Sequence, residues 1–239
     1  MVSHKVDILD ARIKKNDVPK IYKKVASIYD LWGQLTESKA RKRCLELAEI
    51  RDGETVLEVA VGTGLAFVEI LRLNPNGQSE GVDLTEDMLS RAKQKAQRLG
   101  VTNYSLKTGD AYHLEYADDS FDLVINNYMF DLLPEDDFSV VLTEFKRVLR
   151  PGGRVVVVNM TKPEHWYHSV WELVYRMNPA WVGGCRGVYL KPHLESAGFV
   201  DLRREFISQM TFPSEVVCGL KPKSLGNDKT WRVAVTVAS

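Results

Sequence analysis

The chain has 239 residues, of which 44% are hydrophobic and 27% are charged, a composition typical of a globular protein with a buried core. This composition excludes collagen-like and disordered chains. Thirty-two Lys and Arg side chains balance 32 Asp and Glu side chains, so no overall positive charge attracts phosphate backbones. We therefore expect no nucleic-acid partner.

The charges are unevenly distributed along the chain. Residues 1 to 43 carry 11 basic and 5 acidic side chains, whereas residues 108 to 144 carry 10 acidic side chains and no Lys or Arg. A solvated face is the ordinary explanation of an acidic run. The alternative is that part of this run faces a cationic ligand.

Cysteine usage and hydropathy indicate the compartment. Cys44, Cys185 and Cys218 are too few and too far apart for a disulfide framework or a zinc site, so we expect a reducing compartment and no metal. No stretch has the apolar length of a signal peptide core or a transmembrane helix. We expect a cytoplasmic protein, with peripheral contact to a membrane or lipid and homodimer formation both left open.

Two amphipathic helices are predicted before the first strand. Residues 18 to 32 place Ile21, Val25, Ile28 and Trp32 on one stripe, and a second helix begins near Thr36 and ends at Gly53. We therefore divide the chain into a helical N-terminal cover over 1 to 53, a main domain over 54 to 220 and a C-terminal extension over 221 to 239.

From residue 55 onward, short apolar runs alternate with helical periods, which predicts βαβ units and a mainly parallel sheet of the α/β class. The predicted strands are 55 to 60, 79 to 83, 103 to 107, 121 to 126 and 154 to 160. The predicted helices that follow them include one that begins at Pro134, an aromatic one over 164 to 177 and a short one over 191 to 197. Two late strands, 199 to 207 and 214 to 220, fit an antiparallel hairpin at the sheet edge.

The segment VLEVAVGTGL, residues 56 to 65, runs from a buried strand into a Gly-X-Gly turn and a helix. Gly62 and Gly64 allow close approach of a ligand to the backbone, next to the free N–H groups of a helix start. Asp83 follows the second strand, where a carboxylate can accept two ribose hydroxyls. Phe67 stands where a dinucleotide-binding turn would have its third glycine. Together with Glu58, these residues favour a cationic nucleoside without phosphates.

At these motifs the sequence resembles the class I S-adenosylmethionine-dependent methyltransferases. VLEVAVGTGL is similar to their glycine motif, and GVDLTEDML, residues 81 to 89, is similar to their ribose motif. GDAYHLEYADDSFDLVINN, residues 109 to 127, and LRPGGRVVVVNM, residues 149 to 160, are similar to the motifs around their third to fifth strands. The resemblance implies a doubly wound, Rossmann-like sheet of seven strands whose last strand is antiparallel.

The resemblance also implies S-adenosyl-L-methionine as cofactor and assigns a set of residues to it. In that set, Glu58 supports the methionine amino end, Gly62 and Gly64 lie under the cofactor with Ala60 in the same motif, Asp83 holds the ribose, Leu84 and Met88 flank the adenine, Asp110 and Ala111 meet its edge, and Asn126 lies near the sulfonium. Tyr22 and Tyr29 are candidates to close over the cofactor, because aromatic faces attract a cation. Their position on an apolar stripe is equally explained by core packing.

A closer similarity is to the quinone C-methyltransferases of ubiquinone and menaquinone synthesis. It rests on Tyr29-Asp30, on Ala60 and on Thr161-Lys162-Pro163, and it implies a small-molecule, apolar or quinone-like methyl acceptor. Leu65 departs from that pattern, since those enzymes usually have an acidic residue after the second glycine. A phospholipid amine N-methyltransferase and a non-catalytic nucleoside-binding regulatory domain are the alternatives.

Three residues are candidates for a catalytic base. His165 and His168 follow the fifth strand, where open α/β sheets place their ligands, and Asp131 follows the fourth. A surface or packing role is the ordinary alternative for each of them. The nearby Trp and Tyr residues of the aromatic helix fit either a buried helix or an apolar substrate wall with access to lipid.

Overall fold

The computed structural model describes residues 35 to 178 and 184 to 223. Its strands are β1 (Thr55–Val59), β2 (Gln78–Asp83), β3 (Tyr104–Thr108), β4 (Phe121–Asn127), β5 (Leu149–Met160), β6 (Val200–Gln209) and β7 (Phe212–Leu220). Its helices are α1 (Ser38–Ala48), α2 (Leu65–Leu73), α3 (Glu86–Gln97), α4 (Phe138–Val148), α5 (Ser169–Met177) and α6 (Lys191–Ser196). Short 3₁₀ helices cover Phe130–Leu132, Glu135–Asp137 and Trp166–His168.

The strands form one seven-stranded sheet in the order β3-β2-β1-β4-β5-β7-β6. Strands β1 to β5 are mutually parallel, and β7 runs antiparallel to both of its neighbours. The predicted α/β sheet and its antiparallel edge hairpin are therefore confirmed. Because the strand order reverses between β1 and β4, a crevice opens at their carboxyl ends, where such sheets bind ligands.

The central strands are formed by apolar runs in which polar and apolar residues do not alternate. This pattern is expected because helices cover both faces of the sheet and bury both faces of these strands. Leu123 to Ile125 of β4 and Val155 to Val158 of β5 are fully buried. Helix α4 covers one face with a buried stripe of Phe138, Val141, Leu142, Phe145 and Val148. Each such side chain contributes about 1.5 to 3 kcal/mol when fully buried. Helix α1 packs on the opposite face.

Helix α1 is shorter than the sequence pattern predicts. The prediction placed its end at Gly53, but the helix ends at Ala48 because Glu49 adopts a left-handed φ of 46° and donates its N–H to the Glu46 carbonyl. Residues 49 to 54 thus form a loop into β1. The predicted helix over 18 to 32 and most of the extension over 221 to 239 lie outside the described residues, so the division into three parts stays a prediction.

A buried ion pair joins the edge hairpin to the rest of the sheet. The Glu215 carboxylate on β7 is fully buried and accepts hydrogen bonds from Arg204 Nε at 2.6 Å, from the Leu190 N–H at 2.8 Å and from Thr161 Oγ1 at 3.2 Å. Burial raises the pKa of Glu215, and the Arg204 guanidinium opposes that rise. One carboxylate therefore ties β6, β7 and the end of β5 to the segment before α6.

We expect the substitution Arg204→Met to lower the free energy of unfolding by about 3 kcal/mol, because it leaves the Glu215 charge buried without its cation. Urea denaturation measures this loss. Arg203→Met is the matched control on the same strand, since the exposed Arg203 pairs with Glu205 and should cost less than about 1 kcal/mol. Equal losses in both variants would contradict this role of Glu215.

Candidate functional site

A cavity of about 430 Å³ opens at the carboxyl ends of β1, β2 and β4. The turn after β1, the end of β2, the loops after β3 and β4, and the start of α1 form its walls. Eight of the predicted cofactor residues line it, namely Glu58, Ala60, Gly62, Asp83, Leu84, Met88, Asp110 and Ala111. The topology thus brings together residues that are up to 53 positions apart in the sequence.

The two glycines of the turn have different surroundings. Gly62 faces the cavity with a φ of 56°, and a Cβ placed there would meet no atom within 4 Å. Gly64 begins α2 with a φ of 83°, and its Cβ would lie 2.8 Å from Cα and Cβ of Ala92 on α3. Gly62 therefore leaves room for a ligand, whereas Gly64 allows α2 and α3 to pack closely.

Asp83 holds the glycine turn in place. Its Oδ2 accepts the Gly62 N–H at 2.8 Å and its Oδ1 accepts the Thr85 N–H at 2.9 Å. Burial raises the pKa of Asp83, and these two hydrogen bonds oppose the rise. Each carboxylate oxygen keeps a second lone pair that can accept a hydroxyl. The geometry therefore fits a ribose whose hydroxyls bind the same group that orders the turn.

Residues from β2, α3 and the loop after β3 enclose the neighbouring part of the cavity. Leu84 and Met88 form an apolar wall, while Asp110 and Ala111 lie at the rim. The Tyr112 N–H donates to Asp110 Oδ1 at 3.1 Å, and the Tyr112 hydroxyl donates to Asp137 Oδ2 at 2.6 Å. An apolar wall beside hydrogen-bonding groups fits a flat heterocycle such as adenine.

Glu58 supplies an acceptor with spare capacity at the end of β1. The side chain is buried, its Oε1 accepts from Asn127 Nδ2 at 3.3 Å, and its Oε2 has no hydrogen-bond partner among the described residues. Burial raises the pKa of Glu58 to about 8. A buried carboxyl oxygen without a donor fits an ammonium group, which would favour its charged form.

Asn127, rather than the predicted Asn126, lines the cavity. Glu58 pairs with Ile125 in the register of β1 and β4, so Ile125 and Asn127 share the face of Glu58. Asn126 lies on the opposite face, where it is buried and its Nδ2 donates to the Val59 carbonyl at 2.8 Å. The alternation of side chains along β4 was the signal that could have identified Asn127.

The start of α1 contributes two charged residues that the sequence analysis missed. Glu37 and Arg41 both line the cavity, and Glu37 is only 4% exposed. Glu37 Oε1 has no hydrogen-bond partner in the described part of the chain. Burial and the nearby Asp131 charge raise the pKa of Glu37 to about 8, while Arg41 opposes the rise. Both residues continue the buried helical stripe of Cys44 and Ala48, and that spacing was the available signal.

Asp131 lies behind the cavity wall rather than in it. The carboxyl is fully buried, its Oδ2 accepts the Met160 N–H at 3.2 Å, and its Oδ1 has no partner among the residues described. Burial raises the pKa of Asp131 to about 7. Arg186 is buried beside it, and its guanidinium donates to the Asp131 carbonyl at 2.8 Å. This donor fixes the backbone beside the carboxyl.

The two candidate histidines lie near β6 and are not among the cavity-lining residues that the structure describes. His165 is exposed. His168 is buried, with Nε2 3.1 Å from Ser208 Oγ and Nδ1 accepting the His165 N–H at 3.3 Å. Burial lowers the pKa of His168. A base role for either stays a prediction that this geometry does not support, and Tyr22 and Tyr29 lie outside the described residues.

A family model described as a methyltransferase domain matches residues 50–188. The chain belongs to the class I S-adenosylmethionine-dependent methyltransferases. Its cofactor is S-adenosyl-L-methionine, and the cavity described above has the groups to hold its ribose, its ammonium group and its adenine. The fold agrees with that of phosphoethanolamine N-methyltransferase 2 from Haemonchus contortus, with a TM-score of 0.62 and 15% identity over 78% of this chain and 53% of that one.

The names of two curated relatives indicate different methyl acceptors. Demethylmenaquinone methyltransferase from Bacillus cytotoxicus is 28% identical over 155 residues, which are 63% of this chain and 65% of that enzyme. Arsenite methyltransferase from Halobacterium salinarum is 34% identical over 174 residues, which are 67% of this chain but only 43% of that enzyme. The aligned part of the chain thus spans slightly less than two thirds of the first relative and less than half of the second.

We expect Asp83→Asn to weaken S-adenosyl-L-methionine binding about 10- to 150-fold, since hydrogen bonds to a charged group contribute about 1.5 to 3 kcal/mol. Isothermal titration calorimetry measures the affinity. Glu86→Gln is the control, because Glu86 is an exposed acid three residues further along. Unchanged affinity in a folded Asp83→Asn variant would remove Asp83 from the ribose site.

Proposed function

We propose that this methyltransferase methylates a small apolar acceptor that carries an ionisable hydroxyl, of the quinol type. The observation that carries the proposal is the position of Glu37, a buried carboxyl with an unpaired oxygen, in the wall of a largely apolar cavity. Tyr128, Met129, Leu132, Leu133 and Pro134 supply apolar surface in that cavity. Such a cavity can bury an aromatic ring and still bind its hydroxyl.

The similarity to a demethylmenaquinone methyltransferase supports this acceptor class. The similarity to an arsenite methyltransferase is the competing observation. Trivalent arsenic is a soft centre that prefers thiolates. Cys44 and Cys185 are buried, and burial raises the pKa of both thiols well above the usual range, which keeps them protonated. The chemistry of these cysteines therefore weighs against arsenite.

Glu37 is the proton acceptor in the proposed reaction. The cofactor supplies an electrophilic methyl group when bound. The acceptor carbon would gain the methyl group, and the cofactor would leave as S-adenosylhomocysteine. Glu37 Oε1 would take the proton of the acceptor hydroxyl, and the hydrogen displaced from the ring carbon would return to the hydroxyl oxygen as the ring regains its aromaticity. The net change is one methyl group gained and one proton released. Its raised pKa makes the Glu37 carboxylate a stronger base toward a phenolic hydroxyl than an ordinary glutamate. Arg41 and Asp131 act on Glu37 in opposite directions and so adjust its basicity.

The apolar wall has a second role in this reaction. A methyl cation equivalent transferred in water would meet competing nucleophiles, so the site must exclude solvent. Met129, Leu132 and Leu133, in the loop after β4, line the same cavity as Glu37. Their packing also limits the orientations of a flat ring, which favours alignment of the attacking carbon.

The acceptor class is tested by comparing substrates directly. The protein is incubated with S-adenosyl-L-methionine and, separately, with a reduced short-chain demethylmenaquinone, with phosphatidylethanolamine in detergent and with arsenite plus thiol. We expect release of S-adenosylhomocysteine and a mass increase of one methylene for the quinol alone. Turnover of the phospholipid or of arsenite without turnover of the quinol would overturn the proposal.

We expect Glu37→Gln to lower kcat about 100- to 10,000-fold, the usual contribution of a general base, with little change in cofactor affinity. Glu46→Gln is the matched control, since Glu46 lies on the same helix with a largely solvent-accessible side chain paired with Arg43. In the wild type, the rate should fall as the pH drops below the pKa of Glu37, because only the carboxylate accepts a proton. A wild-type rate in Glu37→Gln would exclude Glu37 as the base.

A further inference from the structure

Helix α5 and the turn before it present an apolar stripe to solvent. Trp166, Val170, Leu173 and Met177 are spaced by 4, 3 and 4 residues, which places them on one helical face. Trp166 is 87% exposed and Leu173 is 58% exposed. The opposite face of α5 anchors the helix through the buried Tyr175. The stripe is therefore a fixed feature of the folded surface rather than a frayed end.

The tip of the β6–β7 hairpin extends this stripe. Trp171 of α5 packs its ring 5.3 Å from that of Phe212 and donates from Nε1 to Thr211 Oγ1 at 3.2 Å. Met210, beside Thr211 at the tip, is 67% exposed. Leu35 adjoins the same hairpin, since its carbonyl accepts from Gln209 Nε2 at 2.7 Å. We call the set Trp166, Val170, Leu173, Met177, Met210 and Leu35 the exposed apolar surface.

The backbone at the hairpin tip is strained in a way that holds Met210 outward. Met210 and Thr211 form a two-residue turn between Gln209 and Phe212, with left-handed φ values of 48° and 63°. Such turns favour Asn and Gly, whereas a long apolar side chain and a β-branched one are disfavoured there. A sequence selected only for a stable turn would not place methionine at this point. Strain of this kind concentrates where a surface has a function.

The exposed apolar surface and the cavity share one edge of the sheet. Ser214 of β7 pairs with Met160 at the carboxyl end of β5, so the hairpin tip extends beyond that end. The Ser214 hydroxyl is 2.8 Å from the hydroxyl of Tyr128, which lines the cavity. A flat partner that covers the exposed apolar surface would therefore lie on the side of the molecule where the cavity opens.

Exposed basic side chains border this surface, although Glu172 of α5 is an acidic neighbour. Lys39 is exposed beside the hairpin, with Nζ 3.5 Å from the Ser208 carbonyl, and Lys42 and Arg176 are exposed on the two adjoining helices. The nearby Glu164 carboxylate is paired with Arg204 at 2.9 Å. Basic side chains that border a Trp- and Leu-bearing face are typical of segments that lie in a membrane interface.

We propose that the exposed apolar surface docks this methyltransferase on an anionic lipid bilayer, with Trp166 at the level of the headgroups. This proposal rests on the proposed function, because docking would give the cavity access to an apolar quinol dissolved in the membrane. No helix within 35 to 178 or 184 to 223 is long and apolar enough to span a bilayer. The contact that we propose is peripheral. Tryptophan favours the interface because its ring is apolar and its N–H is polar.

Co-sedimentation of the full chain with phosphatidylcholine vesicles containing phosphatidylglycerol tests the docking. We expect the double variant Trp166→Ser/Leu173→Ser to lower the vesicle partition coefficient at least tenfold. Val140→Ser is the control, because Val140 is an exposed apolar residue on α4, outside this surface, and this variant should bind as the wild type does. Lys39→Glu should weaken binding to anionic vesicles but not to vesicles of phosphatidylcholine alone.

The melting temperature and the cofactor affinity of the double variant should equal those of the wild type. A loss of vesicle binding then does not come from misfolding. Wild-type protein that stays in the supernatant at low salt would overturn the proposal, as would a double variant that binds as well as the wild type. A dimer that the double variant converts to monomers, without vesicle binding by either, would assign the surface to a second copy of the chain. Vesicle binding does not require a methyl acceptor. Its outcome can therefore be interpreted even if the quinol assay shows no methylation.

Discussion

The burial of acidic groups at the carboxyl ends of parallel strands is the constraint on which the site depends. Glu58 lies near the end of β1, Asp83 ends β2, and Glu37 lines the cavity at the start of α1. Asp131, in the loop after β4, lies behind the cavity wall. Desolvation disfavours the charged form of each and raises its pKa. A cavity built this way stabilises a cation that enters it, which matches a cofactor with an ammonium and a sulfonium group.

In the proposed reaction, the same constraint would connect cofactor binding to proton transfer by Glu37. Glu37 loses its proton more readily while a positive charge occupies the cavity, because an opposite charge favours the carboxylate. Once the charge of the sulfonium has been consumed, burial and Asp131 again favour the protonated form of Glu37. The carboxyl is therefore ionised before the transfer and a stronger base as the transfer proceeds. A solvent-exposed glutamate such as Glu46 would show neither effect, since water screens both charges.

The sequence predicts those parts of the site that follow directly from strand ends, and misses those that depend on helix docking. Apolar runs locate β1, β2 and β4, so Gly62 and Asp83 could be placed at the sheet edge before the structure was known. Asn126 was assigned from the family resemblance, whereas the register of Glu58 with Ile125 places Asn127 on the face of Glu58. Glu37 and Arg41 were missed because nothing local says that α1 packs beside the cavity.

Exposed apolar residues and buried charged ones are both departures from ordinary burial, and here they occur at one edge of the sheet. Glu37, Glu58 and Asp83 line the cavity, and the exposed stripe of α5 continues over the β6–β7 hairpin beside it. Selection for stability alone would bury the apolar side chains and expose the charged ones. Burying a charge and exposing an apolar surface both cost free energy. The Glu215–Arg204 pair links β6 to β7, and the β5–β7 ladder holds this hairpin beside β5. Under the proposed function, this edge would bind a cation within the cavity and meet an apolar phase outside it, as methylation of a membrane-dissolved acceptor requires.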